Sequence, residues 1–326
     1  MTMKEKCKQP GEFLFPPTVL VGAGHLGKAI LNGIENVFSS KGFRDGLNEL
    51  PIITVDRHLK SASICKGLLK SIENLPDKGF TPQVIILAVR PSQVKEAIFS
   101  LAEKYKDICS SGSLPHGLTL VSCVVGVSID QLTNLWKQHS SYVPNIVRVM
   151  PTILSSQREG ISFFYHVDEV KDVYPIKVVK ELFSFLSRVI EVGSELEMDM
   201  GIVLVSSLMG VLCNIASSYE KFLLNIDCSE KDAKELIADI LIGMGKFSIN
   251  QKTWESISPQ IETPGGITAS MMGVFNSKLN NTDLFFDMLR RGMDKIDEIK
   301  EQINEKDDEI KFSGEIQRNT STRGFY

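Results

Sequence analysis

The chain has 326 residues, 43% hydrophobic and 23% charged, with 36 Lys and Arg against 40 Asp and Glu. That composition belongs to a globular protein long enough for two domains of ordinary size. A net charge of −4 with no basic stripe speaks against nucleic acid as a partner, and uninterrupted apolar runs fall short of the roughly 20 residues of a membrane span.

Residues 1–16 read as a polar arm. Met1 to Gln9 is polar and basic with no apolar core behind it, so no secretory signal is recognised and a cytoplasmic protein is expected. The six cysteines (Cys7, Cys65, Cys109, Cys123, Cys213 and Cys228) form no C-x-x-C pair, and the five histidines are scattered. Reduced thiols and no metal centre are expected.

The first strong signal follows. An apolar strand, Thr18 to Val21, runs into Gly22, Gly24 and Gly27, and a helical pattern then starts without a break. A backbone with this spacing turns sharply, admits a pyrophosphate and packs a helix closely on a strand. The free N–H groups of such a helix start favour an anion. After a charged insert, Lys41 to Leu50, comes a strand at Ile52–Val55 that ends in Asp56 and Arg57. A carboxylate there holds the ribose 2′-hydroxyl of NAD, and an arginine accommodates the 2′-phosphate of NADP. Both residues are present, so the pair does not decide; Arg57 tips the reading toward NADP, with NAD the alternative.

Ser61 to Lys70 fits a helix. Gln83–Val89 is a continuous apolar run of the kind buried in a parallel sheet. Arg90 and Pro91 lie at its end, and a helix is expected over 92–104. A strand at Leu118–Cys123 leads into Gly126 and a helix opened by Ser128 as N-cap. Strands at Asn145–Val149, Ile161–Tyr165 and Val189–Val192, with a helix near Val170–Leu186, complete an alternating pattern. The fold class is therefore α/β, a Rossmann-type doubly wound sheet over residues 17–193.

Residues 194–304 read as all helical. Met198–Leu224 is too apolar to stand in water alone, so it lies inside the helical domain or packs against a second chain; the latter is favoured. Ser229 opens the next helix, Pro264, Gly265 and Gly266 break the chain, and Thr282–Ile303 is a further helix. In Glu262–Ala269, two glycines before a helical pattern leave outward N–H groups that suit a carboxylate, and Thr268 adds a hydroxyl donor. Residues 305–326 are charged and turn-rich, and a disordered tail is predicted.

Five segments together resemble the pyrroline-5-carboxylate reductase family over nearly the whole chain. They are Gly-Ala-Gly-His-Leu-Gly-Lys-Ala (22–29), Leu-Ala-Val-Arg-Pro (87–91), Val-Ser-Cys-Val-Val-Gly-Val-Ser (121–128), Arg-Val-Met-Pro-Thr (148–152) and Thr-Pro-Gly-Gly-Ile-Thr (263–268). The resemblance implies a Rossmann domain joined to a C-terminal all-helical dimerisation domain, in a homodimer or larger assembly. It also implies reduction of the cyclic imine 1-pyrroline-5-carboxylate to L-proline with NADPH or NADH. Carried over, Gly22, Ala23, Gly24, His25, Leu26 and Gly27 hold pyrophosphate, with Asp56 and Arg57 at the ribose. Ala88, Arg90 and Pro91 lie along the nicotinamide half. Ser206, Gly265, Gly266, Ile267 and Thr268 bind substrate, and Thr268 is the catalytic donor.

The chain also departs from the family. Ser206-Ser-Leu-Met-Gly-Val-Leu212 replaces a run of small residues, so Leu208 and Met209 stand where the family keeps space. Two other readings follow: another oxidoreductase on the same scaffold, or a nucleotide-binding protein without reductase chemistry. For the first, Lys221 and Asn225 resemble the catalytic pair of β-hydroxyacid dehydrogenases, although a solvated Lys and a helix-end Asn explain them as well.

Overall fold

A computed structural model describes residues 14–38, 50–58, 65–110, 117–167, 173–279 and 282–321. The chain divides into two compact units, residues 1–202 with 294–326, and residues 203–293.

The first unit is built on one eight-stranded sheet. Its strands are β1 (Thr18–Val21), β2 (Leu50–Val55), β3 (Cys65–Leu69), β4 (Val84–Leu87), β5 (Thr119–Ser122), β6 (Asn145–Pro151), β7 (Gly160–Tyr165) and β8 (Ser187–Glu191). They lie in the order β3-β2-β1-β4-β5-β6-β7-β8. All neighbours pair parallel except β6 with β7. Helices α1 (His25–Phe38), α2 (Val94–Ser110), α3 (Ile129–Lys137) and α4 (Val173–Ser184) complete the alternation.

Parallel strands buried on both faces explain the continuous apolar runs. Along β1, Val19 and Val21 join Ile98, Leu101, Leu132 and Trp136 of α2 and α3. Leu20, pointing the other way, joins Ile30 and Ile34 of α1 and Phe183 of α4. The strand order reverses between β1 and β4, which is where a doubly wound sheet opens its ligand crevice.

The expected helix at Ser61–Lys70 is corrected: Cys65–Leu69 is strand β3, paired parallel with β2. Apolar residues at Cys65, Leu68 and Leu69 suit either element, and pairing with the β2 edge decides for the strand. Residues 59–64, the charged insert over 39–49 and the arm before Leu14 lie outside the described residues.

The sequence put the domain boundary at Gly193; the compact units divide after Ile202, inside α5 (Glu195–Asn225). The second unit continues with α6 (Glu230–Ser248), α7 (Ser258–Ile261), α8 (Ile267–Leu279) and the start of α9 (Thr282–Ser321), whose later turns belong to the first unit. Helix α9 extends to Ser321, through residues for which the sequence predicts a disordered tail. Ser229 caps α6 as expected, its Oγ accepting from Asp232 N–H at 3.1 Å.

Among the described residues of 203–293, only Val203, Ala233 and Ile257 are buried. Leu208, Tyr219, Phe222, Ile240, Trp254 and Phe286 are each more than half exposed. Helix α5 is long and apolar enough, by length and composition, to cross a membrane. Its serines, glycines and Asn214 interrupt any strictly apolar run, yet no charged residue stands between Asp199 and Glu220.

Candidate functional site

The turn after β1 is shaped by its glycines. Gly22 has φ +91°, and a Cβ there would lie 2.7 Å from the Ala88 carbonyl oxygen. A Cβ on Gly27 would run into the Gly22 carbonyl, so α1 starts hard against the strand end. At Gly24 an added Cβ meets nothing within 4 Å, which leaves open space before the loop. The first intrahelical bond runs from Lys28 N–H to the Gly24 carbonyl at 2.9 Å. The N–H groups of His25, Leu26 and Gly27 therefore have no helical acceptor and are ready for an anion.

Asp56 and Arg57 follow β2 beside this loop, with unequal commitments. The Asp56 carboxylate accepts Ala23 N–H at 2.7 Å and His58 N–H at 2.8 Å, so it braces the glycine turn. Arg57 pairs with Glu96 of α2 at 2.8 Å, both side chains about two-thirds exposed. Lys70, at the end of β3, donates to the Arg57 carbonyl at 3.3 Å. Asp56, Arg57, His58, Lys70, Glu73 and Glu96 line one open cleft at this end of the sheet. A main-chain N–H, then the hydroxyls of Ser71 and Ser100, hold the Glu73 carboxyl below the usual range. The cleft thus carries both signs of charge.

On the other side of the reversal, Ala88 N–H donates to the Val21 carbonyl at 2.8 Å and Cys123 N–H to the Leu87 carbonyl at 2.9 Å. Arg90 is exposed and precedes a 3-10 turn at Pro91–Gln93 that leads into α2. Burial pushes the Cys123 thiol up, so it is no nucleophile. Gly126 has φ +72°, and a Cβ on it would sit 2.8 Å from Ile299 Cγ2 of α9. Its glycine identity follows from that turn and that neighbour. Ser128 caps α3 by accepting Gln131 N–H at 3.0 Å, as the sequence predicts.

A second set of polar residues was not anticipated. Arg148 of β6 is 1% exposed, with NH1 3.3 Å from Glu195 and NH2 3.3 Å from Asp199 on α5. Asp199 is equally buried and also meets Lys300 of α9 at 3.0 Å. Burial opposes the Lys300 charge, but Asp199 and Asp297 outweigh it and raise its pKa above the ordinary 10.5. Two cations and two carboxylates thus balance inside the first unit. The only hint in the sequence was an arginine in the apolar run Ile146–Met150.

The remaining predicted residues belong to the second unit. Gly265 has φ +73°, and Gly266 N–H donates to the Thr263 carbonyl at 2.8 Å. The first helical bond of α8 runs from Ser270 N–H to the Gly266 carbonyl at 3.1 Å, leaving Ile267, Thr268 and Ala269 N–H without helical acceptors. Ile267 is 83% exposed at this turn. Ser206 lies on α5, and its hydroxyl donates to the Val203 carbonyl at 3.4 Å. Lys221 and Asn225 are both exposed at the end of α5. The structure therefore gathers Gly22–Gly27, Asp56, Arg57, Ala88, Arg90 and Pro91 after the carboxyl ends of β1, β2 and β4 in the first unit, and Ser206 and Gly265–Thr268 in the other unit.

No protein-family model matches the chain. In sequence it is similar to the pyrroline-5-carboxylate reductase of Haemophilus influenzae, 23% identical over 261 residues, or 79% of this chain and 88% of that protein. In structure it is similar to the Plasmodium falciparum pyrroline carboxylate reductase solved with NADP bound: TM-score 0.69, 19% identity, 87% of this chain and 98% of that one. The pyrroline-5-carboxylate reductase of Coxiella burnetii gives TM-score 0.64 at 20% identity, over 88% of this chain and 99% of that one. That of Streptococcus pyogenes gives 0.65 at 14% identity, over 87% and 98%. The chain shares the Rossmann-type fold of these structures.

Proposed function

We propose that this chain is a divergent pyrroline-5-carboxylate reductase, an oxidoreductase that reduces 1-pyrroline-5-carboxylate to L-proline with NADPH, with NADH the alternative donor. The carrying observation is the glycine turn, where Gly22 and Gly27 are forced by close backbone and Gly24 faces open space. A pyrophosphate fits that cradle, held by the N–H groups of the first turn of α1. Asp56 braces the loop while Arg57 and Lys70 bring positive charge to the ribose end, which suits a 2′-phosphate. Ala88, Arg90 and Pro91 border the nicotinamide half.

When bound, the reduced nicotinamide supplies the hydride. The protein's part is orientation and electrostatics. Ile267 and Thr268 N–H, with Gly265 and Gly266 letting the main chain approach, receive the substrate carboxylate. The Thr268 hydroxyl would donate toward the imine nitrogen, which would keep the neighbouring carbon electrophilic. The exposed apolar surface of the second unit supports a homodimer or larger assembly, and a cytoplasmic location goes with this reading.

Nucleotide absorbance followed with the imine, in parallel for NADPH and NADH, tests the proposal: oxidation is expected with both, faster with NADPH. Leu208, 57% exposed on α5 where the family has a small residue, favours a second reading. There the nucleotide is bound, but a different imine is reduced or no reduction occurs. Binding of NADPH without its oxidation by this imine would favour that outcome.

A further inference from the structure

The loop from Cys123 to Ser128 leaves β5 on the nicotinamide side of the strand reversal, and two elements from elsewhere in the first unit hold it. Ile129 N–H, where α3 begins, donates to Glu195 Oε1 at 2.7 Å. The turn at Gly126 is covered by Ile299, and Gln131 Nε2 donates to Asn304 Oδ1 at 2.7 Å. Glu195 belongs to the first turn of α5, and Ile299 and Asn304 to α9.

Both grips lead back to one buried guanidinium. Arg148 lies level with Ser122 in the parallel register, at the end of the sheet where β5 releases the loop. One arm of its fork reaches Glu195, the residue that caps α3. The other reaches Asp199, which in turn holds Lys300, the neighbour of Ile299. Burial of the Arg148–Asp199 pair is a poor way to gain stability, because well-packed apolar residues of like volume do as well or better. What a planar fork supplies is geometry, since it fixes two carboxylates at once.

We propose that Arg148, acting with Glu195, Asp199 and Lys300, is a positioning residue that sets the Cys123–Ser128 loop against the nicotinamide half of the bound dinucleotide. This rests on the nucleotide-binding reading above. Arg148 does not touch the cofactor; it acts through the first turn of α5 and the middle of α9, which clamp the loop. Its effect therefore falls on one half of the dinucleotide and spares the other.

Titration of the full-length protein with two probes separates the halves: 2′,5′-ADP, which engages only the ribose end, and NADPH. Arg148→Met is expected to weaken NADPH at least tenfold while leaving 2′,5′-ADP within twofold. Arg148→Lys is expected to fall between, because one ammonium cannot span both carboxylates. Lys300→Met, at a partly exposed position, should act in the same direction more weakly and carries the test should Arg148→Met fail to fold. The inference is overturned if both probes weaken in parallel, or if neither changes. A wild-type protein that binds neither probe removes the nucleotide reading itself, whereas wild-type binding of both with unaltered variants removes only the role of Arg148.

Discussion

Arg57 and Asp56 stand side by side in the sequence, and their contacts separate them. Asp56 is engaged by two main-chain N–H groups, whereas the Arg57 guanidinium, among the described residues, pairs with the exposed carboxylate of Glu96. Surface pairs of this kind hold their members loosely, so the guanidinium is available to a phosphate. Arg57→Ala is expected to raise the KM for NADPH roughly ten- to hundredfold, the worth of about 1.5–3 kcal/mol for a hydrogen bond to a charged group. The KM for NADH should barely move. Steady-state kinetics with each nucleotide checks this, and an equal rise for both would mean that Arg57 does not read the phosphate. At this scale Gly22 and Gly27 were the most legible residues, because close backbone at both, and a positive φ at Gly22, demand glycine there. Gly126 was legible as a turn, yet the neighbour that makes it obligatory, Ile299, lies far along the chain. Arg148 was nearly invisible, since its partners come from helices that no local pattern connects to β6.

The elements of the first unit were legible where period and length agreed. Continuous apolar runs gave β1, β4, β5 and β6, and Ser128 marked the start of α3. Strand β3 was missed because its apolar spacing also fits a helix, and only pairing at the sheet edge settles the matter. Helix α5 poses the opposite difficulty: its existence was plain from the sequence and its surroundings were not. A patch of exposed Leu, Tyr and Phe of this extent calls for a cover. If the cover is a second copy, Leu212→Glu and Phe222→Glu place charges in a desolvated contact at a cost of several kcal/mol. Sedimentation velocity is expected to show an assembly for the wild type and monomer for the double variant at micromolar concentration. Unchanged sedimentation would clear this face of that role, and flotation of the wild type with lipid vesicles would point instead to a membrane.

At the scale of the molecule, a well-filled sheet unit is joined to a helical unit that buries almost nothing of its own among the described residues. Nucleotide that binds only the folded first unit stabilises it by mass action, about 2.7 kcal/mol at a hundredfold excess over Kd. For a unit of this size that corresponds to roughly 5–11 °C in Tm. Thermal unfolding with and without NADPH is expected to show that rise, and its absence would count against the glycine cradle. Fold class was readable because alternation of strands and helices is a property of the whole sequence. The turn at Gly265–Thr268 was readable only as a local motif, because what stands opposite it depends on the folded arrangement.

The first unit is not a continuous stretch of chain: it leaves at Ile202 and resumes at Asp294. During synthesis the sheet emerges from the ribosome early, but Lys300, Ile299 and Asn304 arrive only about a hundred residues after Ile202. Until then Asp199 waits without its lysine and the Gly126 turn without its lid. A nascent chain halted before Asp294 would hold β1 to β8 and still leave the Cys123–Ser128 loop with only one of its two grips, that of Glu195, so the loop is fully held only after Asn304 has been added.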